Sequence, residues 1–233
     1  MADEKRKWNE IAAKGKVLDI REKIKSNKPD PMMENVRSEI IKGYMKDTIE
    51  CLDKVMDDSA DKIGKISQLI FDAYKHDKQI ILIGNGGSAS VASHIAADFS
   101  KGWLGDEHGI MRLRSLSLVD NVSLLTSWMN DAGQDQMFVG QLKTVLNPGD
   151  IVIGISGSGN SKNIINAIEY ANSAGAKTIG LCGFDGGNLK SAASISVVVP
   201  SDSFKRIEDV HMMIGHLLKA VLMREIREAL KKC

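Results

Sequence analysis

Residues 81–99 read ILIGNGGSASVASHIAADF. An apolar run meets a turn made of Gly84, Asn85, Gly86 and Gly87, which opens through Ser88 into a segment carrying His94 and Asp98. The first half has the form of a phosphate cradle. Glycines let backbone N–H groups approach an anion, a helix N-terminus adds partial positive charge, and Ser88 offers a hydroxyl. The second half sets an imidazole and a carboxylate at i and i+4, on one helix face and ~6 Å apart along the axis. A Gly-rich turn by itself also has a purely steric reading, so the rest of the chain has to decide.

A second copy does so. Residues 150–171 read DIVIGISGSGNSKNIINAIEYA, again a strand, a turn and a helix, and the turn holds Ser156, Gly157, Ser158, Gly159, Asn160 and Ser161. Three hydroxyls and two glycines at a helix start make a cup for a phosphate monoester. No Lys stands in the Walker position, and neither turn spells a dinucleotide fingerprint, so the expected ligand is a small phosphorylated molecule. It should bind at the carboxyl ends of parallel strands.

Around these turns the pattern alternates. Strand-like runs are IILIG, LRSLSL, DIVIGIS, KTIGLCG and SISVVVP, each bounded by Gly, Pro, Asp or Asn. Helical periodicity occupies 89–101, 123–130, 134–145 and 162–173 between them. Near-continuous apolar strands separated by helices predict a parallel sheet covered on both faces. Ahead of the first strand, Ile40, Ile41, Met45, Ile49 and Leu52, then Ile63, Ile66, Ile70 and Phe71, recur at helical spacing. That predicts two long helices, or one broken near DDSAD. From Lys205 onward a final helix places Ile207, Val210, Ile214, Leu217, Leu218, Val221 and Leu222 on one stripe. Residues 1–35 are polar and mixed in charge, and read as an appended extension with a short helix near Trp8–Ile24; 36–233 read as the folded domain.

Composition narrows the function. With 31 Lys plus Arg against 30 Asp plus Glu, no global charge draws the chain to nucleic acid or membrane. Cys51, Cys182 and Cys233 form no metal pair and cannot all be bridged within one chain, which suits a reducing, cytoplasmic setting. The charged start MADEKRKWNE does not read as a signal peptide, and no apolar run approaches the ~18 residues of a membrane span.

Near the other end RIEDVHMMIGH supplies Glu208, Asp209, His211 and His216. Two histidines and two carboxylates suit a zinc site or an acid–base pair. Glu208 and His216, however, stand ~12 Å apart along a straight helix and ~80° apart around it, which strains a shared metal. His216 also lies away from the apolar stripe, beside Met212 and Met213, where a monomer would expose it.

Taken together, GNGGSA…H…AAD, ISGSGNS, GFDGG and RIEDVHMMIGH resemble the sugar isomerase (SIS) domain family, and within it the phosphoheptose isomerase group. The resemblance covers about Val36–Ile226. It implies a flavodoxin-like fold with a five-stranded parallel sheet flanked by helices, and a homotetramer with sites at subunit interfaces. It also implies a bound zinc, and aldose–ketose isomerisation of a phosphorylated sugar through an enediol. Carried over by motif, Ser88, Ser156, Ser158 and Ser161 fall where the family binds sugar phosphate. Asn85, Gly86, Gly87, Asp120, Asn121, Gly157 and Glu208 complete the substrate-binding set. His94, Asp98, Glu208 and His216 fall on the metal or acid–base positions, with Asp98 and His216 as the catalytic pair. The chain carries Asp98 where the family usually has Glu, and Glu208 where Gln is common. The competing expectations are an isomerase of a different phosphosugar and a non-catalytic SIS phosphosugar-binding regulator or scaffold of the replication-initiator-associating type. Proteins of that last type keep the first His but lose the acid and the last His, both present here as Asp98 and His216.

Overall fold

The computed structural model describes residues 31–101 and 112–231. Residues 1–30, including the short helix expected near Trp8–Ile24, lie outside the described residues. The chain divides between Asp47 and Thr48 into two units. The first contributes the opening turns of helix α1 (Pro31–Lys75), on which Ile40, Ile41 and Met45 are exposed. The second holds everything that follows. Where the sequence allows two helices or a break near DDSAD, α1 is continuous. Ser59 and Ala60, inside that stretch, do not interrupt a helix whose Val55, Ile63, Ile66 and Ile70 are buried on one side.

Five strands follow: β1 (Gln79–Gly84), β2 (Arg114–Ser117), β3 (Ile151–Ser156), β4 (Lys177–Gly183) and β5 (Ile195–Val199). They form one sheet in the order β2-β1-β3-β4-β5, with every pairing parallel. This is the doubly wound order in which the crossover direction reverses between β1 and β3, so ligands are expected beyond the carboxyl ends of those two strands. The helices between them are α2 (Gly87–Ser100), α3 (Val122–Ala132), α4 (Met137–Val145), α5 (Lys162–Ser173) and α6 (Leu189–Ala192), and α7 (Phe204–Leu230) follows β5. The single turn α6 is the element that apolar periodicity does not announce.

Alternation along the strands builds two cores. Ile80 and Leu82 of β1 pack with Ile151, Ile153 and Ile155 of β3 on the face covered by α1, α2 and α7. Ile81 and Ile83 point the other way, to Phe138, Leu142, Ile164 and Ile168 of α4 and α5. Each such fully buried aliphatic side chain contributes about 1.5–3 kcal/mol of transfer free energy. The α7 stripe is narrower than its spacing suggests. Ile207, Val210, Ile214, Leu218 and Leu222 are buried, whereas Leu217 and Val221 are exposed. They face a groove of about 420 Å³ that they line with Met213, Leu52, Val55 and Met56.

His211, one of the C-terminal candidates, belongs to this core and not to a site. It is wholly buried, and its Nε2 donates to the Cys182 carbonyl at 2.9 Å. Burial pushes its pKa down to about 4, against a smaller upward pull from that hydrogen bond. The unfolded chain therefore takes up a proton near pH 6.5 that the folded chain refuses until about pH 4. The associated stability is complete above pH 6.5 and is lost as pH falls from there toward 4. Urea unfolding at pH 7 and at pH 4.5 is expected to differ by up to about 3 kcal/mol from this residue alone. In His211→Gln the difference should shrink by that amount, and an unchanged pH slope would contradict the assignment.

Candidate functional site

Two turns leave the sheet at its switch point. One joins β1 to α2 through Asn85 and Gly86, and the other joins β3 to α5 through residues 157–161. They are tied by a reciprocal amide pair, each bond 2.9 Å, between Asn85 and Asn163 in the first turn of α5. Asn163 is a residue that the sequence reading passes over, because its partner is 78 positions away.

The serine-rich turn carries a defined set of hydroxyl bonds. Ser156, buried at the end of β3, donates from Oγ to Ser161 Oγ at 3.2 Å. Ser158 Oγ accepts from the Asn160 backbone N–H at 3.2 Å. Both bonds use oxygens as acceptors, so the Ser158 and Ser161 hydroxyl protons remain free to donate to a ligand. Gly157 faces the Phe204 ring, and Ser161 precedes α5, whose first N–H groups open beside it. Among the described residues the hydroxyl bonds of this turn engage no acidic side chain, which suits a phosphate at a helix start.

The β1–α2 turn differs. Ser88 is buried in the first turn of α2, and Gly86 takes a positive φ of 56°. The Glu208 carboxylate packs against Gly87, in the space a Cβ would fill. A negative charge therefore already lies at the α2 N-terminus, where the macrodipole favours it. Of the two further substrate candidates, Asp120 accepts a hydrogen bond from Ser93. Asn121 caps α3 by accepting from the Leu124 N–H at 3.0 Å. Both line a cleft of about 660 Å³ with Ser100, Ser115 and Ser117.

The second centre lies where α2 and α7 run side by side. Gly215 on α7 meets Ile95 on α2 so closely that a Cβ at Gly215 would overlap the Ile95 side chain. The neighbouring residues, His94 and His216, thereby come together. Their Nε2 atoms are 3.0 Å apart with the rings edge to face, so one nitrogen donates and the other accepts. Asp98 Oδ2 stands 3.9 Å from each of these nitrogens. On the far side Asp98 Oδ1 pairs with Lys219 Nζ at 2.9 Å. Lys219 is absent from the sequence reading, although its place three residues after His216, on the same face of α7, was the available signal.

His94, Asp98 and His216 thus converge, with ligand atoms all within 4.8 Å of one another. Two imidazole nitrogens and one carboxylate oxygen match the donor set that a catalytic zinc takes from protein, with a position left for substrate. Glu208, expected as a fourth ligand, stands outside this group. It precedes His216 by eight positions of unbroken helix, and its carboxylate lies against Gly87. The predicted strain in that spacing is the physical reason. Asp209, on the exposed side of α7, is not part of the group either.

Comparison with known proteins agrees with this architecture. Residues 43–183 match the SIS domain family. The phosphoheptose isomerase of Sulfurimonas denitrificans is 42% identical over 190 residues, covering 80% of this chain and 95% of that protein. The structure of the phosphoheptose isomerase from Neisseria gonorrhoeae aligns at a TM-score of 0.74 with 27% identity, over 80% of this chain and 98% of that one. A phosphoheptose isomerase structure from Francisella tularensis aligns at 0.73 with 25% identity, over 80% and 97%.

Proposed function

This chain belongs to the SIS domain family, in its phosphoheptose isomerase group, and from that premise we propose that it interconverts sedoheptulose 7-phosphate and D-glycero-D-manno-heptose 7-phosphate. The observation that carries the reading is the convergence of His94, Asp98 and His216 in a chain that also carries the serine-rich turn after β3. A binding protein needs the turn, but not the acid and two imidazoles.

The chemistry moves one proton between neighbouring carbons. Asp98 takes the C1 proton of the ketose, and His216 supplies a proton to the C2 oxygen as the enediol forms. The C1 hydroxyl then gives up its proton to the imidazole, and the carbon-bound proton returns at C2. Nothing enters or leaves the substrate. The Ser156–Ser161 turn joins β3 to α5 whereas His94, Asp98 and His216 stand on α2 and α7, so the phosphate and the reacting carbons are assigned to different elements and to opposite ends of the sugar. That matches a 7-phosphate reacting at C1 and C2. The phosphate turn contributes orientation, which converts binding energy into a productive pose.

We extend the reading in three ways. His94, Asp98 and His216 are the residues that would hold zinc, which when bound polarises the carbonyl oxygen. Leu217, Val221 and Met213, exposed along the α7 groove, supply apolar surface for a homotetramer. A monomer in sedimentation equilibrium would exclude that assembly. Among the described residues no helix is long and apolar enough to cross a membrane, and we place the activity in the cytoplasm.

A coupled assay with sedoheptulose 7-phosphate, with and without added zinc, tests the function. Turnover in either condition supports isomerisation, and stimulation by zinc supports the metal. Tight phosphosugar binding with no turnover in either condition would reduce the protein to a binding module. Ser158→Ala/Ser161→Ala removes two donors to a charged phosphate, each worth ~1.5–3 kcal/mol. Calorimetry should show affinity for the phosphosugar reduced at least roughly tenfold, with an unchanged melting midpoint in the absence of ligand. Unaltered affinity would remove the phosphate from this turn.

A further inference from the structure

We propose that Lys219 is a positioning residue for the isomerisation, acting through Asp98. The inference rests on the acid–base reading of Asp98 given above. An aspartate reaches one methylene less far than a glutamate, and its carboxylate has few ways to face both imidazoles at once. In this chain Lys219 Nζ takes Oδ1 at 2.9 Å, and Oδ2 is thereby turned to stand 3.9 Å from His94 Nε2 and 3.9 Å from His216 Nε2.

The side chains of both partners are about three-quarters covered, at 23% and 25% exposure, so this is not a freely solvated surface pair. The two helices make the arrangement by register. Asp98 follows His94 by one turn on α2, Lys219 follows His216 by one turn on α7, and the Gly215–Ile95 contact sets the helices side by side. His94, His216 and Asp98 therefore form a closed triangle across the helix pair, and Lys219 holds Asp98 by its other oxygen. Lys219 meets the site through its ion pair with Asp98 Oδ1, so its influence on the reaction passes through the carboxylate.

The test uses Lys219→Met, which keeps the aliphatic stem, Lys219→Arg, which keeps the charge, Asp98→Asn, and the double variant Lys219→Met/Asp98→Asn. With sedoheptulose 7-phosphate, Lys219→Met should lower kcat roughly tenfold or more and leave KM within about twofold, as a misplaced base does. Lys219→Arg should recover most of that loss. In the Asp98→Asn background the lysine change should alter kcat by less than about twofold, because the group it positions is gone. A loss that falls on KM, or that persists in full in the Asp98→Asn background, overturns the proposal. If the wild-type protein turns over no phosphosugar, the functional reading fails, and the pair is then judged by urea unfolding of the same four proteins. There a coupling of at least about threefold in the unfolding constant sustains Lys219 as the anchor of Asp98, and additivity overturns it.

Discussion

Asp98→Asn is expected to abolish nearly all turnover while leaving the protein folded and able to bind phosphosugar. The substitution is isosteric and removes the charge that accepts the proton and pairs with Lys219. A positioned general acid or base contributes typically ~10²–10⁴ in rate, so kcat should fall within that range. KM should stay near its original value, because the phosphate turn lies on other elements, at the ends of β3 and α5. His216→Ala should produce a loss of similar size. The double variant should lose little more than either single one, since residues that act as a unit are strongly non-additive. Steady-state kinetics of the three proteins, with melting midpoints as a control, decide the point. An Asp98→Asn enzyme within about tenfold of wild type would move the base elsewhere, and the full product of the two losses would mean that the residues work independently.

Much of this molecule is local, and what is local is legible in the sequence. Each phosphate-type turn is announced by a strand, a glycine-rich bend and a hydroxyl within a few residues, so Ser156, Ser158 and Ser161 could be named at once. The sheet follows from the same source. Runs such as IILIG and KTIGLCG are apolar at consecutive positions because both faces of a parallel strand are covered, and the helices between them force parallel order. His94 and Asp98 share a helix face by spacing alone. The pairings that complete the site are different, because they depend on how α2 lies against α7. Nothing near Gly87 states that Glu208, 121 positions later, will fill the space above it. Nothing near Asp98 states that Lys219 will take one of its oxygens. The width of the α7 stripe misleads for the same reason. Leu217 and Val221 have the periodicity of core residues, but they face a groove, and periodicity cannot distinguish a core from another apolar surface. His211 shows the converse case, since a histidine between candidate ligands reads as functional until its burial and its bond to Cys182 are seen.

The helix contact itself carries the other large prediction. Gly215→Ala should reduce kcat by roughly 100-fold while changing stability little. The argument weighs two opposing effects on folding. Alanine in a helix interior is favoured over glycine by about 1 kcal/mol. Against that, the new Cβ meets Ile95 Cδ1 at 2.5 Å, well inside contact distance, and overpacking of this kind costs about 1–3 kcal/mol. The terms nearly cancel, so the thermal midpoint is a poor reporter. The site is a sensitive one. His94 and His216 sit next to Ile95 and Gly215, and relieving the overlap requires the helices to part or Ile95 to shift along α2. A displacement of ~1 Å is enough to cost ~100-fold in a reaction that depends on placement. The rescue is equally definite. Ile95→Ala removes the atoms that the new methyl would strike, so Gly215→Ala/Ile95→Ala should regain most of the lost kcat even though Ile95→Ala alone destabilises the core. If Gly215→Ala retains kcat within about threefold, the imidazole pair does not depend on the close approach of α2 and α7. If the double variant stays inactive, the defect of the single one lies in α7 itself and not in its contact with Ile95.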